Sequence, residues 1–228
     1  MTIEHYNGFD VEGLRKSIFR IGIQKDGVLT NMSVSHIEWA FEQNCPKYRK
    51  ENKTLSFCFS TSEGVASIHY LRNTDLGPMV ANGLLDAAIM GTDMIEENDL
   101  DDRITKMRVL SDGTWPLRYM TLQDRPVEIG RARIIGSSYL RVSVHVLGEV
   151  GNSLAQVWKV AGSTELLPLL SFGGIQIDGV LDINVTGKTA CANGLLCFGE
   201  PYRVFRPVLV ANSLALTEER KTSFYRKL

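Results

Sequence analysis

No stretch of the 228-residue chain approaches the ~18 consecutive apolar residues that a membrane-spanning helix needs. The amino terminus, MTIEHYNGFDVEGLRK, has no basic start followed by an apolar run, so it does not read as a secretory signal. Neither sign of charge is in excess: 25 Lys and Arg face 26 Asp and Glu. A protein that coats nucleic-acid phosphate carries a basic surplus, so that class of partner is excluded, whereas a local basic site for a small anion is not. Cysteine is scarce. Cys45, Cys58, Cys191 and Cys197 form no CxxC pair, which argues against a disulfide framework or a zinc site. Free thiols point to a reducing, cytoplasmic setting.

What is present is an apolar fraction of 44% with 22% charged residues, enough for one or two domains with their own cores. Strand-like and helix-like stretches alternate. Phe19–Ile23 reads as a strand. Val34, Ile37 and Phe41 form the stripe of an amphipathic helix, with Ser33 as its expected N-cap. Extended runs follow at 55–59 and 65–71, a helix at 74–81 and a strand at 86–90. The second half alternates in the same way, with strand 132–136, helix 139–150, strand 156–160, helix 164–170, strand 179–185, and a helix through Ala190 to Leu195. Such alternation argues for parallel sheets covered by helices. Two adjacent strand-like runs, 106–110 and 117–122, break the rhythm and suit a hinge between two lobes. A weak internal echo also suggests two lobes. Asp86 enters an apolar strand that leaves through Gly91, and Asp178 enters one that leaves through Gly187.

The most informative segment is Ile177 to Thr189, an apolar strand ending in Thr186-Gly187-Lys188-Thr189 before a helix. A strand feeding a Gly turn at a helix start aims several backbone N–H groups at one spot, which suits a phosphate. The Gly-Lys-Thr run is not a triphosphate P-loop: that motif needs Gly five residues before Gly187, and Asp182 stands there. A carboxylate one strand-end away from a phosphate site suits a sugar phosphate, with Asp182 accepting bonds from ribose hydroxyls. A plain strand–turn–helix with Thr caps has the same pattern. Upstream, Gly162 to Pro168 contains Ser163 as a possible helix cap and Glu165 in the first turn.

Together these segments resemble the ATP phosphoribosyltransferase family. Gly162 to Pro168 is similar to the family's Gly-Ser-x-Glu-x-x-Pro. Asp178 and Asp182, Thr186 to Thr189, Asn193-Gly194-Leu195 and Gly199-Glu200-Pro201 follow in the family's order. In the first half, Gln24 to Leu29 looks like the family's opening motif, with Val28 in place of its Arg. Arg72, Asp75, Gly83, Asp86, Ile89, Gly91 and Asp93 also fall in order. Ala190 replaces a family Leu, and 172–176 looks like a small insertion.

The resemblance implies two α/β lobes with mostly parallel sheets around a cleft, like periplasmic binding proteins. Lobe I would take 1–111 plus 199–228, ending in a helix from Asn212 to Leu228, and lobe II 112–198 with the phosphoribose loop. It implies transfer of the 5-phosphoribosyl group of phosphoribosyl pyrophosphate (PRPP) to N1 of ATP, with release of pyrophosphate, as the first step of histidine biosynthesis. In that reading Glu165 and Asp182 are catalytic and Thr186, Gly187, Lys188 and Thr189 hold the 5′-phosphate. Lys25, Arg72 and Gly91 meet pyrophosphate or acceptor, and Mg²⁺ sits mainly on substrate oxygens. The short length matches the family's short form, which implies a histidyl-tRNA-synthetase-like regulatory subunit and a homo-oligomer, either a dimer or part of a hetero-octamer. Two alternatives remain open at this point. One keeps the donor and changes the acceptor to another nitrogen heterocycle, as the missing Arg would permit. The other is a two-lobed, non-catalytic module that binds a small anion.

Overall fold

The computed structural model describes residues 11–27, 29–42, 44–45, 54–110 and 113–228, so Val28 lies outside the described residues. In chain order they form α1 (Val11–Lys16), β1 (Phe19–Gln24), α2 (Leu29–Phe41), β2 (Ser56–Thr61), β3 (Gly64–Leu71), α3 (Asn73–Ala81), β4 (Ala87–Gly91), α4 (Thr92–Asn98), β5 (Ile104–Val109) and β6 (Trp115–Leu122). Then come β7 (Ile134–Ser137), α5 (Leu140–Glu149), β8 (Gln156–Lys159), the short hairpin β9 (Ser171–Phe172) and β10 (Ile175–Gln176), and β11 (Gly179–Ile183). Last are α6 (Lys188–Ala192), β12 (Leu195–Phe205), β13 (Pro207–Asn212) and α7 (Glu219–Lys227).

These elements make two compact units. One holds the described residues before Gly113 together with Pro207–Leu228; the other is Gly113–Arg206. The chain leaves the second unit at Arg206, not at the expected 198/199, because β12 stays in the ladder with β6 as far as Phe205.

The first unit has a six-stranded sheet in the order β2-β3-β1-β4-β13-β5. Strands β3, β1 and β4 are parallel, and β2, β13 and β5 run antiparallel to their neighbours. Central position shows in composition: every residue of β4 is buried, as expected for a strand covered on both faces. On one side Phe19, Ile21 and Ile23 pack with Val34 and Ile37 of α2 and with Phe224 and Tyr225 of α7. Ser33 does not cap α2. The helix already begins at Leu29, and Ser33 is buried one turn inside it. The expected helix from Asn212 is also corrected. The Asn212 Oδ1 accepts the N–H groups of Leu214 (3.0 Å) and Ala215 (2.9 Å), so an Asx-type turn intervenes and α7 starts only at Glu219.

The second unit has a five-stranded sheet in the order β12-β6-β11-β7-β8, with β11, β7 and β8 parallel and β6 and β12 antiparallel. Both sheets are therefore mixed rather than mostly parallel. In each sheet three neighbouring strands are parallel (β3, β1, β4 and β8, β7, β11); β13 and β6 run opposite to them, and β5 and β12, each antiparallel to that neighbour, return to the common direction. Val142 and Val146 of α5 cover one face, against Leu117, Tyr119 and Leu181. The other face, with Met120, Val180 and Leu195, is covered by Ala190 of α6 and by Leu167. Among the described residues no helix is long and apolar enough to cross a membrane.

Candidate functional site

In a doubly wound sheet the chain leaves neighbouring parallel strands toward opposite faces, and the carboxyl ends of those two strands leave a crevice. In the second unit this point lies between β7 and β11. Past β7 the chain turns into α5 on one face; past β11 it turns into α6 on the other. Asp182 and Ser138 meet there. The Ser138 hydroxyl lies 2.9 Å from each carboxylate oxygen of Asp182, its N–H lies 3.3 Å from Oδ2, and the Ile183 N–H donates to Oδ1 at 2.7 Å. Burial pushes the Asp182 carboxyl above its ordinary range; the bonds from Ile183, Ser138 and Thr164 pull it partly back. No ion pair to Asp182 occurs among the described residues. It is a desolvated carboxylate held by neutral donors, with capacity left for further hydroxyls.

Thr164 joins the second carboxylate to the first. Its buried side chain hydrogen-bonds Asp182 and lies 3.5 Å from Glu165 Oε2. Glu165 is half-buried in the first turn of a 3₁₀ helix, Thr164–Leu169, where an α-helix was expected. Pro168 removes a donor there, and 3₁₀ geometry tolerates short runs of this kind. Ser163 does not cap it: its backbone is left-handed (φ 52°) and its side chain makes no capping bond.

The turn after β11 takes its shape from Asn184. Its Oδ1 accepts the Gly187 N–H at 2.6 Å, and its Nδ2 rests on Met120 Sδ (2.9 Å) and Cys197 Sγ (3.2 Å). Gly187 is at φ 72°, a conformation that favours glycine, and α6 starts at the next residue. The helix is short. It ends at Ala192, and Leu195, expected in it, opens β12, because the Asn193-Gly194 turn intervenes with Gly194 at φ 69°. Thr186, Lys188 and Thr189 are exposed around the turn. Asp178 is apart from all this. Buried at the start of β11, it accepts the N–H groups of Arg133 (2.7 Å) and Ile134 (3.2 Å), which is a structural role. Among the described residues no group of three His, Cys, Asp or Glu forms a metal cage. A cavity of about 470 Å³ lined by Arg131, Arg133, Asn152 and Gln156 lies at the amino ends of β7 and β8, the opposite end of the strands from the turn.

In the first unit Lys25, Arg72 and Gly91 sit at the carboxyl ends of β1, β3 and β4, so one sheet edge gathers all three. Arg72 is exposed, and no ion pair joins it to Asp75 among the described residues. Three residues escaped the sequence reading: Ser138, Thr164 and Asn184. Asn two residues before Thr186 is a local turn signal. The Ser138–Asp182 contact spans 44 residues and leaves no local pattern.

The ATP phosphoribosyltransferase family pattern matches residues 72–228. Curated ATP phosphoribosyltransferases of Bacillus cereus and Bacillus anthracis are 26% identical over 192 residues, covering 83% of this chain and 86% of theirs. Among solved structures, the ATP phosphoribosyl transferase (HisG:HisZ) complex from Thermotoga maritima matches at a TM-score of 0.72 and 18% identity, over 92% of this chain and 96% of that one. A histidine kinase sensor domain with similarity to periplasmic binding proteins matches at 0.52 and 12% identity, covering 93% of this chain and 94% of its own. Both structural matches speak to the fold.

Proposed function

The chain belongs to the ATP phosphoribosyltransferase family, and from that premise we propose that its second unit binds the phosphoribosyl donor at the β7–β11 crevice. The reaction is transfer of the 5-phosphoribosyl group of PRPP to N1 of ATP, the first step of histidine biosynthesis. N1 forms the new bond to the anomeric carbon while the C1–O bond breaks and its electron pair leaves on pyrophosphate. Positive charge builds on the sugar between these events, as in glycoside hydrolysis. Catalysis is then positioning and charge stabilisation.

In this reading Asp182 and Glu165 accept hydrogen bonds from the ribose hydroxyls and fix the ring. Thr186, Gly187, Lys188 and Thr189 hold the 5′-phosphate. Lys25, Arg72 and Gly91, at the strand ends of the first unit, have the pyrophosphate and the acceptor as their proposed ligands. Mg²⁺, carried on the donor's own oxygens, would supply charge neutralisation for the leaving pyrophosphate. That fits the described residues, which bring no group of three His, Cys, Asp or Glu together as a cage. A histidyl-tRNA-synthetase-like subunit, after the two-protein complex from Thermotoga maritima, is the proposed partner in a cytoplasmic oligomer.

The observation that carries this reading is Asp182, half-buried and held by neutral donors, beside the turn that Asn184 shapes. The test is phosphoribosyl-ATP formation, followed by absorbance, from PRPP, Mg²⁺ and ATP with and without the regulatory subunit. Product that requires ATP is expected. Donor binding without ATP-dependent product in either condition would overturn the acceptor assignment.

A further inference from the structure

Arg118 has no part in the site described above, yet the strand register puts it there. In the β11–β6 ladder Arg118 stands directly opposite Asp182, and Met120 opposite Val180. Side chains directly opposite in an antiparallel pair share a face. The apolar members of that face, Met120, Val180, Ala190 and Leu195, form one buried cluster. Toward the carboxyl end of β11 the same face turns polar, with Asp182 on one strand and Arg118 on the next.

These two opposite charges do not pair. Asp182 is turned to Ser138 on the β7 side, while Arg118 Nη1 donates to the Gly199 carbonyl on the β12 side at 2.9 Å. The register explains the second bond. The ladder between β12 and β6 breaks between Phe198 and Arg203, so the segment from Gly199 bulges out opposite Arg118, with Gly199 at φ 63°. Bulges often re-aim a side chain beside a site. Arg118 is half-buried and near enough to Cys197 to act on its thiol electrostatically. Cys197 in turn touches the Asn184 amide that shapes the phosphate turn. The guanidinium thus lies on the β12 side of Asp182, near the Cys197 that touches Asn184, with further N–H donors beyond the one spent on Gly199.

We propose that Arg118 is a binding residue for the donor's 5′-phosphate, the second cation of that subsite beside Lys188. This rests on the phosphoribosyl-donor reading of the crevice. Backbone amides, Thr hydroxyls and one flexible Lys already favour a phosphomonoester dianion, and the planar guanidinium adds two parallel charge-assisted donors to them. The Gly199 bond holds the fork in place before the ligand arrives. The segment Gly199-Glu200-Pro201 thereby gains a function as the support of Arg118.

The test is calorimetric titration of ribose 5-phosphate and, separately, of Mg²⁺-pyrophosphate into the intact chain and its Arg118→Met and Arg118→Lys variants, with thermal unfolding of each. For Arg118→Met the ribose 5-phosphate Kd should rise ~10–100-fold, the loss of a charged hydrogen-bonding group. The pyrophosphate Kd and the unfolding temperature should stay within error, and Arg118→Lys should recover part of the loss. Unchanged ribose 5-phosphate binding in Arg118→Met overturns the proposal while leaving the donor site in place. Equal weakening of both ligands with a lower unfolding temperature also overturns it, as a purely structural role. Failure of the unaltered chain to bind ribose 5-phosphate overturns the donor reading itself.

Discussion

The two units follow the same path with different ends. Strands β1, β3 and β4 of the first correspond in order and direction to β7, β8 and β11 of the second, with β13 and β5 matching β6 and β12. In each, an acid precedes the third parallel strand and accepts a backbone N–H from the first. Asp86 takes Arg20 N–H at 2.7 Å, and Asp178 takes Arg133 N–H at 2.7 Å. Four residues on, the units part. The first has Met90, fully buried, and the strand passes through Gly91 straight into α4. The second has Asp182, followed by Asn184 to Gly187 before α6. One scaffold, built twice, carries the carboxylate proposed to bind ribose, and an open turn, in only one copy. The other copy spends the same position on core packing.

Exchanging that position should give the largest effect. Met90→Asp puts a carboxylate where no donors converge and should cost ~4 kcal/mol or more by denaturant titration, less in acid where the group is neutral. Asp182→Met should keep stability within ~1 kcal/mol, its desolvation penalty being removed, and abolish turnover. An equal loss of stability in both would break the comparison.

The anchoring of the two strand-start acids also differs. Asp86 is ion-paired to Lys221 of α7 (2.8 Å) and to Arg20 (3.1 Å), whereas Asp178 relies on backbone donors. Lys221→Met should therefore destabilise the first unit by ~3–5 kcal/mol, since it strips a buried carboxylate of a partner.

Acid should separate the units as well. His69 lies in the first unit between Ser56 and Ser67 (2.9 Å each), and burial lowers its pKa from 6.5 to about 4. The folded state prefers the neutral ring, so its stabilisation is complete above pH 6.5 and is lost as pH falls toward 4, by up to ~3 kcal/mol. His145 of the second unit is exposed. Unfolding titrations between pH 7 and 4 should show this slope in the native chain and a flatter one in His69→Gln.

The smallest effect sharpens the site. Ser138 bonds favour ionised Asp182, so Ser138→Ala should raise an already elevated pKa further. Turnover needs the carboxylate as acceptor, so the acid limb of kcat/KM should move to higher pH. No shift, or a shift downward, would remove Ser138 from the site.

Much of this was legible in residues alone because it is local. The β–α alternation, the Thr186–Thr189 turn and the rejection of a P-loop at Asp182 need only spacing. Spacing also suggested Asp182 as an acceptor for ribose hydroxyls, and the family resemblance extended that expected role to Glu165. Long-range contacts were not legible: Ser138 on Asp182, Thr164 between the two carboxylates, Arg118 opposite Asp182. The first and last depend on strand register and the second on where the 3₁₀ turn packs, and no single segment encodes either. Spacing alone set Asp178 at the entry of the strand and Asp182 near its exit beside the turn. What Asp178 does there, accepting the N–H groups of Arg133 and Ile134, needed the sheet. The faint Asp86/Asp178 echo coincides with a shared strand order in the two sheets.

The most direct measurement sets those two acids against each other. Asp182→Asn and Asp178→Asn are compared for phosphoribosyl-ATP formation and for unfolding free energy, with the regulatory subunit present in the activity assay. Asp182→Asn should lose at least ~10²-fold in kcat/KM with its stability kept. Asp178→Asn should lose ~1–3 kcal/mol of stability with turnover per folded molecule largely retained. Wild-type turnover in a folded Asp182→Asn variant would contradict the assignment of the β11 carboxyl end as the donor site.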